Sequence, residues 1–155
     1  LAPGAPVGAG RPFVLGGVAL EHDRGPVGHS DGDALLHAIT DALLGALGLP
    51  DIGELFPDND PAYDGAASDR FLLEAVERVG ASGYVIENVD CTVILERPKG
   101  KPVKDRLRAN VAHLLGVPEG RVNIKGKTHE KVDAVGQGLA IEVHVVALLR
   151  HTGSG

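Results

Sequence analysis

Apolar and polar residues follow two periods along this chain. Between residues 31 and 47, apolar side chains fall at 35, 39, 43 and 47, joined by 36, 42 and 44. That is the wide stripe of a helix buried on one side. A second stripe, Phe71, Leu72, Ala75, Val76 and Val79, predicts a helix from about Ser68 to Val79. A third helix is predicted from roughly Val103 to Leu115, stopping at Gly116. The period shortens in "PFVLGGVAL", "YVIENVDCTVIL", "RVNIK" and "IEVHVVALL", which read as strands, the first with a bulge at its two glycines. "LAPGAPVGAG", "EHDRGPVG" and "ERPKGKP" are rich in turn residues. "LPDIGELFPDNDPAYDGA" reads as a long irregular stretch, and long loops in compact domains are often functional. The order strand, helix, helix, strand, helix, strand, strand implies an α+β fold: a two-layer α/β sandwich with helices on one face of a mixed sheet. No repeat or linker divides it, so residues 1–155 are expected to form one domain.

Composition narrows the function. With 155 residues, 43% of them hydrophobic, the chain can bury one substantial core. Aromatics are only 3%, which leaves the core to Leu, Val, Ile and Ala and argues against a base-stacking surface. A net charge of −6 disfavours broad binding to a phosphate backbone, though not one local phosphate pocket. Nucleic-acid partners are therefore not expected. No apolar run reaches the length of a membrane span, and no signal-peptide pattern is seen, so no membrane partner is expected either. The single cysteine, Cys91, excludes an internal disulfide and reads as core packing in a reducing compartment. Leu1 stands where a methionine would begin a chain, which leads us to expect further residues upstream.

Candidate chemistry begins at "HSDGD", residues 29–33. Ser30 followed by Asp33 fits a capping box, and the same exposed N–H groups at a helix start can instead hold a phosphate. Asp33, His37 and Asp41, spaced i, i+4 and i+8, are expected nearly in line on one helix face. An imidazole between carboxylates suits a metal ligand; the plainer reading is a surface histidine with helix-stabilising neighbours. One histidine does not complete a zinc site, which takes three protein ligands and an open position. "KGKTHE" contains Gly-Lys-Thr, but a P-loop needs glycine where Arg121 stands, and a strand fills the interval. What remains is Lys127 and Thr128 for phosphate oxygens and Glu130 for Mg²⁺, or an ordinary polar turn. Asp51, Glu54, Asp58 and Asp60 lack the glycine and glutamate placement of a calcium-binding EF-hand loop. Lys99 and Lys101 stand either at the mouth of a pocket or on a strand-to-helix turn. No nucleophile elbow is present.

The order of these pieces is more specific than any one of them. "HSDGDALLHAITDALLGALGLPDIGELFPDNDP", then "ENVDCTVILERPK", then "VNIKGKTHEK" closely resembles the 2-C-methyl-D-erythritol 2,4-cyclodiphosphate synthase family of the non-mevalonate isoprenoid pathway. The resemblance implies conversion of 4-diphosphocytidyl-2-C-methyl-D-erythritol 2-phosphate to the cyclic diphosphate with release of CMP. It implies a homotrimer, its sheets around the three-fold axis and its active sites between subunits, in the cytoplasm or a plastid stroma. Zn²⁺, or another divalent transition metal, is implied at His37 with an Asp-x-His pair expected upstream of Leu1. Mg²⁺ or Mn²⁺ is implied at Glu130. The resemblance also implies that catalysis falls to His29 and Thr128. It implies that the cytidine diphosphate substrate is met by His29, Ser30, Asp51, Ile52, Gly53, Asp60, Pro98, Lys99 and Thr128. The chain departs from the family pattern where Lys127 and His129 replace hydroxyl residues before the glutamate. It departs again where "GQGL" replaces Gly-Arg-Gly-Glu, so that Gln137 and Leu139 argue against an isoprenoid diphosphate in the trimer's central channel. Without the upstream ligands, the resemblance would imply a non-catalytic trimer that binds cytidine nucleotides.

Overall fold

Three helices lie over one face of a mixed sheet in the computed structural model, which describes residues 13–20, 33–55, 65–94, 101–127 and 141–153. Strands β1 (Phe13–Leu15) and β2 (Val18–Leu20) are followed by helices α1 (Ala34–Ala46), α2 (Ile52–Leu55) and α3 (Gly65–Ala81). Strand β3 (Tyr84–Ile94), helix α4 (Lys101–Leu115), a 3₁₀ turn (Glu119–Arg121) and strands β4 (Val122–Lys127) and β5 (Glu142–His151) complete the described chain. The expected α+β class and mixed sheet are what the structure has. The sheet order is β4-β3-β5, with β3 parallel to β4 and antiparallel to β5. Helix α4 is the crossover that a parallel pair requires.

The core lies between the layers. From the sheet come Val89, Cys91, Val93, Val122 and Ile124; from above come Leu36, Ile39 and Leu43 of α1, Leu72 and Val79 of α3, and Leu107 and Val111 of α4. Helix α1 rests on β5 and on α3, while α4 covers β4. No helix among the described residues is long and apolar enough to cross a membrane.

Strand β3 is not a simple alternation. Its pairing with β5 shifts between Ile86 and Asn88, so Glu87 is the extra residue of a bulge. The bulge keeps Ile86 and Val89 both facing the core although three positions separate them. Glu87 is turned toward Arg150, whose Nε donates to Glu87 Oε2 at 2.9 Å.

Four sequence expectations need correction. "PFVLGGVAL" is not one bulged strand but a hairpin: Gly16 and Gly17 have φ of 60° and 79°, the left-handed conformation of a tight primed turn. The first helix starts at Ala34, not residue 31, because Asp33 is still extended (φ −97°, ψ 101°) and is itself the N-cap. The irregular stretch after α1 contains a short helix, α2, that no periodicity announced. Finally, Asp33, His37 and Asp41 do not form a column. Each four-residue step turns a helix by about 40°, so Asp33 and Asp41 diverge by about 80°. Asp33 is buried, His37 half-buried and Asp41 exposed.

Candidate active site

Asp33 organises the start of α1. Its side chain is 1% exposed. Oδ1 accepts from Gly16 N–H at 2.9 Å and Leu36 N–H at 3.0 Å, and Oδ2 accepts from Gly17 N–H at 2.7 Å. One carboxyl group thus caps the helix and clamps the β1–β2 turn onto it. Burial pushes this carboxyl above its ordinary value, while the three N–H donors and the nearby His37 pull it back down. The carboxyl expected to flank a metal ligand is therefore committed to holding backbone.

His37 stands one turn further along. Its Nε2 is 2.9 Å from Ser68 Oγ in the first turns of α3. Ser68 is 0% exposed. The imidazole is therefore held between the N-terminal parts of two packed helices, with one ring nitrogen engaged by a buried hydroxyl. This suits a cation ligand, because a partner on the second nitrogen fixes ring orientation. Among the described residues no group of three His, Cys, Asp or Glu is gathered to hold a metal. His37 is thus a chemically fitting donor for zinc, and the described residues gather no further ligands into a group around it.

Asp51 and Gly53 lie beyond the other end of α1. From His37 to Ala46 the helix rises about 13 Å. Asp51 Oδ1 accepts from Glu54 N–H at 3.0 Å and so caps the single turn of α2. Both residues are exposed. Among the described residues a Cβ added at Gly53 would meet only Asp51 Oδ1, at an ordinary 3.5 Å, so packing among them does not demand glycine there. The absent side chain leaves the α2 backbone open to close approach from outside. Ile52 begins α2.

The third part of the arrangement is an edge of the sheet. Ile94, the last residue of β3, is register partner to Lys127, the last of β4. The chain segments carrying Pro98 and Lys99, and Thr128 and Glu130, therefore leave from adjacent points at the carboxyl ends of two parallel strands, the usual ligand-binding end of such a pair. His29, Ser30, Asp60, Pro98, Lys99, Thr128, Glu130, Gln137 and Leu139 themselves lie outside the described residues. Ser68 was not foreseen. Its signal was present: it falls on the same stripe as Leu72, Ala75 and Val79, a hydroxyl on an otherwise apolar face.

Cys91 is free and buried in the core, as its strand context suggested. Burial first, and the neighbouring Asp90 carboxylate second, push its thiol up to about 12. It is not a nucleophile at neutral pH.

Fold and site together define a two-layer α+β protein with a histidine-bearing helix pair beside a mixed sheet. The YgbB family matches residues 5–150. The chain is 55% identical over 140 residues to a 2-C-methyl-D-erythritol 2,4-cyclodiphosphate synthase of Chromobacterium violaceum, covering 90% of this chain and 89% of that protein. It is 54% identical over 140 residues to the chloroplastic enzyme of that name from Arabidopsis thaliana, covering 90% of this chain and 61% of the longer plant protein. It thus spans about three fifths of the length of the plant relatives it matches. Among solved structures, an IspF from Plasmodium falciparum described as a CDP complex superposes with a TM-score of 0.80 at 37% identity, covering 92% of this chain and 85% of that one. The chain belongs to the YgbB family, and its named relatives there are 2-C-methyl-D-erythritol 2,4-cyclodiphosphate synthases.

Proposed function

We propose that this chain closes 4-diphosphocytidyl-2-C-methyl-D-erythritol 2-phosphate into 2-C-methyl-D-erythritol 2,4-cyclodiphosphate, releasing CMP. The observation that carries the proposal is the 55% identity over nine-tenths of both this chain and the Chromobacterium enzyme. The described geometry supports it: a cation-ready imidazole at His37, an open glycine backbone at Gly53, and two segments launched side by side from β3 and β4.

An oxygen of the substrate's 2-phosphate forms a bond to its β-phosphorus. The bond from that phosphorus to the bridging oxygen breaks, and CMP leaves with the oxygen. Both reacting groups belong to one molecule, so no protein nucleophile is needed and positioning supplies much of the rate. In this reading Asp51, Ile52 and Gly53 hold the methylerythritol part, with Asp51 accepting its hydroxyls. Pro98 and Lys99 form the cytosine pocket. His29, Ser30 and Thr128 meet phosphate oxygens, His29 and Thr128 where charge builds during transfer, and Asp60 completes the substrate site. His37 and Glu130 hold divalent cations, zinc and Mg²⁺ or Mn²⁺ respectively. Such cations offset charge repulsion and stabilise a phosphoryl transition state.

The working unit in this proposal is a homotrimer of single-domain protomers, its sheets about a three-fold axis. The outer face of β5 supports that reading, with Val146 71% and Leu148 59% exposed on a strand of a sheet whose other face is covered. The test is CMP release from the diphosphocytidyl substrate by the full-length protein, with and without chelator. Release that stops on chelation and returns with zinc and magnesium is expected, as is a folded but inactive His37→Ala variant. No release by the metal-loaded protein, or full activity in His37→Ala, overturns the reading.

A further inference from the structure

We infer that Ser68 is the positioning residue of the His37 imidazole, and that it selects the ring nitrogen His37 offers to a cation. The inference rests on the proposed metal role of His37 and adds to it a residue from a different helix. Ser68 Oγ lies 2.9 Å from His37 Nε2, and the serine is wholly buried where α3 packs on α1. Water does not compete for that hydroxyl, so the contact fixes the ring as well as satisfying a buried polar group.

A hydroxyl both donates and accepts. With a bare Nε2 it donates; with Nε2–H it accepts. In either tautomer Nε2 is committed to Ser68, and a cation held by His37 is ligated through Nδ1. Ligation there needs the Nδ1 lone pair, which places the ring proton on Nε2, and Ser68 Oγ accepts it. A carboxylate could play the same part but would bury a charge where α3 packs on α1, at a residue that is 0% exposed. The neutral hydroxyl sets the ring angle without that cost. It also explains why a polar residue heads the apolar stripe of α3, one turn before Leu72.

The test uses the full-length protein with its histidines ¹⁵N-labelled, loaded with zinc and then with ¹¹³Cd. The expected spectrum has His37 metallated at Nδ1, with ¹¹³Cd coupling to that nitrogen, and a slowly exchanging proton on Nε2. Ser68→Ala is expected to keep its melting temperature close to that of the parent and to weaken zinc binding by about ten- to a hundredfold in a chelator competition. Ser68→Thr, which restores the hydroxyl, is expected to recover most of that affinity. Metal on Nε2, or Ser68→Ala affinity within about twofold of the parent, overturns the inference. Should Ser68→Ala not fold, the parent spectrum alone decides. Zinc on Nδ1 without CMP release leaves the inference standing and removes the proposed activity. CMP release with zinc on Nε2 does the reverse, and a parent protein that binds no zinc removes both.

Discussion

Asp33 holds backbone from two elements at once: three N–H groups from the β1–β2 turn and the first turn of α1 end on its two oxygens. Replacing it with alanine leaves those donors without their acceptor, most of them inside the protein. Each buried unsatisfied donor costs on the order of 1–3 kcal/mol, so Asp33→Ala is expected to lose about 3 kcal/mol or more, measured by urea unfolding. Asp33→Asn keeps one good acceptor and should lose less. Glu87 shows the opposite electrostatic case. The hydrogen bond from Arg150 first, and the charges of Arg121 and Arg150 with it, hold its carboxyl below the ordinary value of 4.5. A lowered pKa in the folded state adds stability above the ordinary value and loses it as pH falls through the lowered one. Melting temperature followed over roughly pH 3 to pH 6 should therefore drop less steeply on the acid side in Glu87→Gln than in the parent. Equal slopes would mean that the pairing does not alter the titration of Glu87.

At the scale of elements, the hairpin matters because of where it sits. A Cβ at Gly16 would lie 3.0 Å from Leu35 and 3.4 Å from both Leu107 and Val111, so the turn is wedged between α1 and α4. Gly17 is tighter: an added Cβ would fall 2.4 Å from Asn110 Nδ2, which donates to Gly16 O at 2.7 Å. Gly17→Ala must strain a left-handed residue and displace that amide. About 2 kcal/mol of destabilisation is expected from the two effects together, read from the shift in thermal unfolding. The long elements were legible because each shows its period for three turns or more, as α1, α3 and α4 do, or for a run of inward residues, as β3 does. The hairpin and α2 were not. "VLGGVAL" has too few residues on each side of its glycines to distinguish a bulge from a reversal. Helix α2 has four residues, held by the Asp51 cap and by contact with α1 rather than by a stripe of its own.

At the scale of the whole molecule, the exposed face of the sheet is where assembly would be felt. Val146→Asp places a charge on the most exposed large apolar side chain described, opposite Asp90 across the β3–β5 ladder. In the proposed trimer this should shift sedimentation from three chains to one, while a single protomer should keep its circular dichroism, since no core residue changes. A variant that sediments like the parent would place the contact elsewhere. The sequence by itself determined the α+β class, the mixed two-layer arrangement, the core positions of α1 and α3, the span of α4, the burial of Cys91 and the family. All of these follow from local periodicity or from the linear order of motifs, and both are properties of a chain before it folds. Only the tertiary structure decided what the polar residues near His37 do. Helical spacing fixed where His37 stands on α1, but not what meets it or the Asp33 cap before it. The β1–β2 turn claimed the Asp33 carboxyl, and α3 supplied Ser68 to the imidazole from 31 residues away. A side chain's partner depends on which elements pack together, and that information is spread over the whole molecule.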